Sequence, residues 1–435
     1  MISNLIKKVL GIAPRAPSPK LRRVPAETHG LRPESISGCA LRVVKTLQTG
    51  GFKAYIVGGA VRDLLIGNSP KDFDVATDAT PEQVRQLIRR SRIIGRRFQI
   101  VHAICHEEVV EVTTFRGAGR EDDHQQTDEH GRITRDNVFG TIEEDAERRD
   151  FTVNALYYDP ISNEVLDYFN GVADLHAKRL TMIGQPATRY REDPVRMLRA
   201  VRFSAKLEFQ LEAATQAPIR ELADLLLNVP ESRLFDEILK LLLSGHSHAC
   251  LSRLRAEGLH HDLLPLLDLI LDEPQGEKFI RQSLQNTDQR ILEGKPVSPG
   301  FLFAALLWHP VLDNWKQRQT QGEKPMPALF AAMTETLEAQ RKKLAIPRRY
   351  DAIMKEIWSL QPRFVQRSGL RPFRFLEHPR FRAAYDFMLL RADSGEIAED
   401  IADWWTDFQQ VGQEERDAML ISEEAPKRSR RRRRR

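Results

Sequence analysis

The chain has 435 residues, of which 41% are hydrophobic, so it is long enough for two or three domains with substantial cores. The excess behind its net charge of +5 lies largely at the two ends, which suggests a polyanionic partner. Cys39, Cys105 and Cys250 lie far apart, which argues against a zinc site or a disulfide framework and fits a reducing cytosol. No stretch approaches the roughly 20 apolar residues that cross a bilayer.

The N-terminal region combines a short apolar run with prolines, arginines and lysines. The apolar run is too short for a secretory signal. We therefore predict a flexible basic arm over residues 1–32, with peripheral membrane contact through the first ten residues as the minor alternative. From Pro33 to Leu47, apolar residues at helical spacing predict a helix that leads towards a strand.

A glycine pair and an arginine follow in a strand-turn-helix pattern. Tyr55–Val57 is a β-branched run that ends at Gly58 and Gly59, where the bare backbone can approach a ligand closely. Ala60–Ile66 predicts a short helix. The free N–H groups at its start suit a triphosphate, and Arg62 can neutralise further charge.

Two aspartates separated by one residue come next. Because the side chains of a strand alternate between faces, Asp72 and Asp74 are expected to point the same way while Phe73 points into the core. Neighbouring carboxylates repel each other unless cations lie between them, and Mg²⁺ prefers oxygen ligands together with substrate phosphates. The pair predicts two-metal catalysis, in which one ion activates a hydroxyl and the other steadies a leaving pyrophosphate.

This order of glycine pair, arginine and paired aspartates resembles the DNA polymerase β-like nucleotidyltransferase superfamily, in particular the branch of bacterial CCA-adding enzymes and bacterial poly(A) polymerases. The resemblance implies an α+β fold, with a small mixed-sheet head followed by an all-α neck and body. The expected divisions are a head over 33–177, a neck over 178–245, a body that binds RNA over 246–410 and a disordered tail over 411–435.

A third carboxylate has two candidates. Glu111 lies within a predicted strand, where it is either an exposed side chain or a metal ligand beside the aspartates. Residues 149–154 resemble the second family motif, which makes Asp150 catalytic and places Arg149 and Asn154 in the ATP pocket. The residues alone leave the choice between Glu111 and Asp150 open; we take Asp150 as catalytic and Glu111 as the alternative.

A later helix carries a carboxylate and two arginines at a spacing of three residues, so Asp193, Arg196 and Arg199 lie near one face. The resemblance assigns this helix to recognition of the ATP base. A carboxylate can accept from an exocyclic amine and a guanidinium can donate to a ring nitrogen. Adenine and cytosine both satisfy such a pair, so the motif does not separate ATP-only from CTP-plus-ATP use.

The C-terminal half is leucine-rich and helical by period. Residues 363–375 interleave arginines with phenylalanines and predict an RNA-binding surface, whereas the tryptophans of the helices are assigned to the core. The polyarginine end is expected to be disordered and to bind RNA phosphates with strong salt dependence. The arginines assigned to RNA binding are Arg96, Arg97, Arg430, Arg431, Arg432, Arg433, Arg434 and Arg435.

The choice within the family depends on Gly95-Arg96-Arg97-Phe98, which resembles a signature of bacterial poly(A) polymerases, and on the long helical body and arginine tail. This resemblance implies AMP transfer from ATP to RNA 3′ ends with two Mg²⁺ ions. It also implies a role in RNA decay in the cytoplasm, with decay proteins as partners. The alternatives are a CCA-adding tRNA nucleotidyltransferase and a non-catalytic RNA-binding protein. The intact aspartates and base-reading arginines disfavour the second.

Overall fold

The protein is described by a computed structural model over residues 20–95, 99–117, 139–259, 274–342 and 346–421. It divides into two compact units. The first comprises Met1–Glu192 and Leu207–Pro218, and the second comprises Asp193–Lys206 and Ile219–Arg435.

An eight-stranded mixed sheet forms the centre of the first unit. In chain order its strands are β1 Arg22–Pro25, β2 Ala54–Val57, β3 Asp74–Thr77, β4 Ser91–Ile94, β5 Ile100–Cys105, β6 Glu108–Thr114, β7 Leu156–Asp159 and β8 Glu164–Asp167. Across the sheet the order is β1-β8-β7-β2-β3-β6-β5-β4. The pair β3 and β6 is parallel, and the other neighbouring pairs are antiparallel. A parallel two-stranded sheet pairs β9 Arg179–Leu180 with β10 Gln210–Leu211.

Seven helices of the described chain accompany these strands. They are α1 Ala26–His29, α2 Gly38–Thr49, α3 Gly59–Leu65, α4 Pro81–Leu87, α5 Ile142–Arg148, α6 Gly171–His176 and α7 Pro186–Glu192. Local sequence explains the starts of three of them. Ser37 caps α2, and Thr80 and Thr141 each form a capping box at the start of α4 and α5.

The chain beyond α7 is almost entirely helical in the described ranges. The helices are α8 Val195–Leu207, α9 Ala213–Glu221, α10 Glu231–Leu242, α11 Ser247–Ala256, α12 Pro274–Leu292, α13 Pro299–Leu306, α14 Trp308–Thr320, α15 Pro325–Arg341, α16 Asp351–Leu360, α17 Arg371–Leu376, α18 Phe381–Asp393, α19 Glu399–Gln410 and α20 Gln413–Met419. Trp308, Trp358 and Trp405 are fully buried, as predicted for helical tryptophans, whereas Trp315 and Trp404 are only partly buried. The predicted α+β architecture, with a mixed-sheet head followed by helices, is confirmed. Over the described residues, no helix combines the length and apolar character needed to cross a membrane.

The prediction of a flexible arm over residues 1–32 is wrong for its last part. Residues 22–25 form β1, which pairs with β8 and buries Val24 in the core. Arg23 donates a 2.7 Å hydrogen bond to Glu164, so the arginine that suggested a solvated arm instead joins two strands. Residues 1–19 lie outside the described residues.

The unit boundary also differs from the predicted limits of head and neck. Residues 178–192 and 207–218 group with the head. The pairing of β9 with β10 joins these segments, and the Met182 amide donates a 2.9 Å hydrogen bond to the Thr215 hydroxyl. The rest of the predicted neck groups with the body in one unit.

Cys39 and Cys105 form a disulfide, contrary to the expectation from their spacing. Their Cα atoms lie 5.9 Å apart although 66 residues separate them in sequence. Packing of α2 against the sheet brings them together, since Cys39 lies on the buried face of α2 and Cys105 ends β5. Cys250 is a buried free thiol.

Candidate active site

The turn between β2 and α3 requires a glycine. Gly58 has a φ of +76°, a backbone conformation that residues other than glycine rarely adopt. A Cβ atom at this position would lie 3.4 Å from a guanidinium nitrogen of Arg149. The predicted strand, glycine turn and helix are therefore present, with Gly59 as the first helical residue.

Arg62 points into the protein and is only 3% exposed. It donates hydrogen bonds to Asn154 Oδ1 at 2.7 Å and to Asp63 Oδ1 at 2.6 and 2.8 Å. These bonds join the first helix of the site to the second sequence motif. Arg62 thus supports the glycine turn from within the fold.

The two aspartates take the alternation predicted from the sequence. Asp72 and Asp74 are exposed and Phe73, between them, is buried. The strand itself begins at Asp74, so Asp72 lies in the segment just before β3.

Glu111 is the register partner of Asp74. This follows from the parallel pairing of β3 with β6. The next strand places His102 opposite Glu111, and His102 Nε2 lies 3.4 Å from Glu111 Oε1. Asp74, Glu111 and His102 therefore form one row of side chains across three strands.

The electrostatics of this row favour a cation. Partial burial raises the pKa of Asp74 to about 6, and the nearby charges of Glu111 and Asp72 add to the rise, whereas Arg149 opposes it. The carboxyl group is accessible to solvent, but surrounding protein atoms remove part of its hydration. A divalent cation would relieve the repulsion, and the donors are oxygens of the kind that Mg²⁺ prefers.

Asp150 occupies a different environment. It is buried, and its Oδ1 accepts hydrogen bonds from the Phe151 amide at 2.8 Å and from Asn154 Nδ2 at 3.1 Å. The Asp150 carboxylate thus orients the side-chain amide of Asn154, whose oxygen accepts the hydrogen bond from Arg62. Among the described residues, no group of three or more His, Cys, Asp or Glu side chains is close enough to hold a metal.

Arg149 is held by two residues that the sequence analysis did not select. Its guanidinium donates to Asp145 Oδ2 at 3.0 Å and to the Tyr157 hydroxyl at 3.0 Å, and that hydroxyl donates to Asp145 Oδ2 at 2.6 Å. Burial opposes the charge on Arg149, but Tyr157 and Asp145 outweigh it and raise its pKa. The available sequence signal was the spacing of four residues between Asp145, on α5, and Arg149, which directly follows that helix.

The predicted base-recognition residues lie in the second unit. Asp193 accepts two hydrogen bonds from Arg233, at 2.9 and 3.1 Å. The Arg196 amide donates to the Asp193 carbonyl at 3.0 Å, which places both residues in the turn that opens α8. One turn later, Arg199 lies 3.9 Å from Glu237 of α10.

The predicted surface of interleaved arginines and phenylalanines is only half correct. Arg363, Arg371 and Arg374 are exposed, but Phe364 and Phe375 are buried at 1% and 4% exposure. These rings pack against Trp405 in the core of the second unit, so they are not available to stack on bases. Arg96, Arg97 and Arg430–Arg435 lie outside the described residues.

Comparison with known families matches three segments of the chain. The Poly A polymerase head domain matches residues 54–181, the probable RNA and SrmB-binding site of polymerase A matches 208–271, and the polymerase A arginine-rich C-terminus matches 321–435. The head match contains the glycine turn, the carboxylates and segment 149–154, whereas Asp193, Arg196 and Arg199 lie outside the three matched segments.

Relatives and solved structures agree with these matches. The chain is 45% identical over 408 residues to Poly(A) polymerase I of Haemophilus influenzae, covering 91% of this chain and 90% of that relative. A CCA-adding enzyme of Lactobacillus helveticus is 38% identical over 208 residues, covering 48% of this chain and 50% of that relative. The Bacillus stearothermophilus CCA-adding enzyme in complex with CTP has a similar structure, with a TM-score of 0.58, 25% identity and coverage of 88% of this chain and 82% of that one. Because similarity to a poly(A) polymerase extends over nine-tenths of both chains, the protein belongs to the poly(A) polymerase family.

Proposed function

We propose that this protein transfers AMP from ATP to the 3′-hydroxyl of RNA, without a template, and releases pyrophosphate. The observation that carries the proposal is the 45% identity to Poly(A) polymerase I over nine-tenths of both chains, together with the pairing of Asp74 with Glu111 close to Asp72. A protein that does not bind a cation would gain nothing from placing Glu111 beside Asp74, where the charge of Asp72 adds to the repulsion.

The carboxylates are the proposed metal ligands. Asp72 and Asp74 would hold two Mg²⁺ ions, and Glu111 would complete the site, since the β3–β6 register places it next to Asp74. When bound, the ions supply charge neutralisation for the attacking hydroxyl and the departing pyrophosphate. In this assignment Asp150 positions Asn154 rather than binding metal, because its carboxylate already accepts a hydrogen bond from the Asn154 amide.

The glycine turn is the proposed triphosphate site. Gly58 and Gly59 leave the backbone open to a close approach, and Arg149 lies against the turn with its charge secured by Asp145 and Tyr157. Arg62 and Asn154 support the turn from the interior of the fold through the hydrogen bond between them. We assign Asp193, Arg196 and Arg199 to the adenine base.

The RNA 3′ end is the proposed second substrate. Arg96, Arg97 and the arginines from Arg430 to Arg435 are assigned to its phosphates, which bind cationic side chains independently of sequence. An enzyme of this kind would add tails that promote RNA decay in the bacterial cytoplasm, alongside RNA-decay proteins.

The second candidate function is CCA addition to tRNA. It is favoured by the fold shared with CCA-adding enzymes, but the sequence match to such an enzyme extends over about half the chain. The test offers ATP, CTP or both to an unstructured RNA and to a tRNA lacking its terminal CCA. Long adenosine tails on the unstructured RNA support the proposal, whereas CCA added only to the tRNA overturns it.

A further inference from the structure

His102 belongs to the row of side chains that begins at Asp74. Its register partner on β6 is Glu111, and its partner on β4 is Arg92. Because register partners share one face of a sheet, the row runs from Asp74 through Glu111 and His102 to Arg92. The neighbours of His102 in sequence, Val101 and Ala103, are buried on the opposite face.

We propose that His102 is a positioning residue that holds the Glu111 carboxylate in place for metal binding. The inference rests on the proposed function, in which Glu111 is a metal ligand. The contact that carries it is the 3.4 Å separation between His102 Nε2 and Glu111 Oε1. With one carboxylate oxygen directed at the imidazole, the other is left for a cation beside Asp74.

The exposure of the two side chains explains why such a partner matters. The Glu111 side chain is 50% exposed and that of His102 is 27% exposed. A half-exposed glutamate has three rotatable bonds and, unlike a packed core residue, is not confined to one rotamer by its neighbours. The His102 imidazole, on the strand that flanks Glu111 on the side away from Asp74, restricts these rotamers. Hydrogen-bonded partners do the same for metal-binding carboxylates in general.

The row also determines which residue is the partner. Arg92 lies one strand further from Glu111, at roughly twice the strand spacing of about 4.8 Å. His102, on the strand directly next to β6, is therefore the nearer partner of Glu111. Arg92 pairs with His102 instead.

The test is a double-mutant cycle on the full-length protein, with His102→Ala, Glu111→Ala and the double variant. Binding of Mn²⁺ is followed by electron paramagnetic resonance in the presence of a non-hydrolysable ATP analogue. We expect His102→Ala to weaken Mn²⁺ binding about tenfold. It should have no further effect once Glu111 is alanine. His102→Gln, which retains a donor, should recover part of the affinity, and the exposed His176→Ala serves as the matched control.

The outcomes separate this inference from the proposed function. Unchanged Mn²⁺ affinity in His102→Ala, or an equal loss with and without Glu111, overturns the positioning role. If the wild type with Mn²⁺ and ATP does not adenylate RNA, the proposed function itself fails. Thermal unfolding of each variant identifies any that do not fold, and His102→Gln keeps the test decisive if His102→Ala is among them.

Discussion

Arg62 donates a 2.7 Å hydrogen bond to the side chain of Asn154, which follows it by 92 residues in the sequence. The bond joins the two densest motifs of the chain inside the fold. The bond therefore fixes the glycine turn and the segment 149–154 relative to each other.

Replacing Arg62 tests this link. In Arg62→Lys the forked guanidinium is lost, so one amine must replace bonds to both Asn154 and Asp63. We expect the free energy of unfolding to fall by about 1–3 kcal/mol, as for a buried polar group that loses its partner, and kcat/KM for ATP to fall as well. The exposed Arg42→Lys on α2 should change neither quantity. Equal thermal stability of Arg62→Lys and the wild type would contradict the prediction.

The paired aspartates should be essential to transfer and dispensable for folding. Asp72→Asn and Asp74→Asn are expected to reduce AMP incorporation below detection, because each removes a charge from the proposed metal site. RNA binding, measured by filter retention, should stay near the wild-type level. Retained turnover in either variant would exclude the assignment.

Asp74 predicts a dependence of stability on pH. Its folded pKa of about 6 lies above the value near 4 of an unfolded aspartate, so between these values the folded state holds the proton more tightly. The resulting stabilisation is present below about pH 4 and is lost as the pH rises through 6. In EDTA, Asp74→Asn should therefore gain thermal stability over the wild type as the pH rises from 4 to 7. A constant difference in Tm across this range would be inconsistent with the raised pKa.

The disulfide between Cys39 and Cys105 should stabilise the head. Chain entropy for a loop of 66 residues gives about 4 kcal/mol at 25 °C. Dithiothreitol should lower the Tm of the wild type and leave a Cys39→Ser, Cys105→Ser variant unchanged. Cys250→Ser, which removes only the free thiol, should respond to dithiothreitol as the wild type does. A wild-type Tm insensitive to reduction would count against the bond.

The arginine tail should contribute a salt-dependent part of RNA affinity. Residues 427–435 contain eight basic side chains. Their deletion should weaken binding mainly at low salt and reduce the slope of log K against log salt by at most about 6. Fluorescence anisotropy with a single-stranded RNA between 50 and 300 mM salt, roughly the range over which such contacts weaken, measures the slope. An unchanged slope would remove the tail from RNA binding.

Local patterns predicted those features that depend on neighbours in sequence. The outward direction of Asp72 and Asp74 follows from the two-residue period of a strand, and the turn before α3 follows from Gly58 and Gly59 at the end of a β-branched run. Such features need no knowledge of the fold.

Features that depend on tertiary pairing could not be read from the sequence. Glu111 lies beside Asp74 only because β6 pairs in parallel with β3, and Cys39 meets Cys105 only because α2 packs on the sheet. Burial of Phe364 and Phe375 depends on helices that are distant in sequence, so local composition suggested a surface where there is a core. In each case a contact between distant segments decided the outcome.

The pairing of β1 with β8 affects how the protein can be shortened. Backbone groups at a free sheet edge can pair with the strands of other molecules, and such edges are commonly guarded by basic side chains and proline. Residues 22–25 place two arginines and Pro25 at this position. A protein that begins after Pro25 would instead present β8, with Val165 and Leu166, as its outermost strand. We therefore expect such a shortened protein to self-associate through the uncovered edge of β8. The cause would be the loss of β1 and not a defect in the catalytic site.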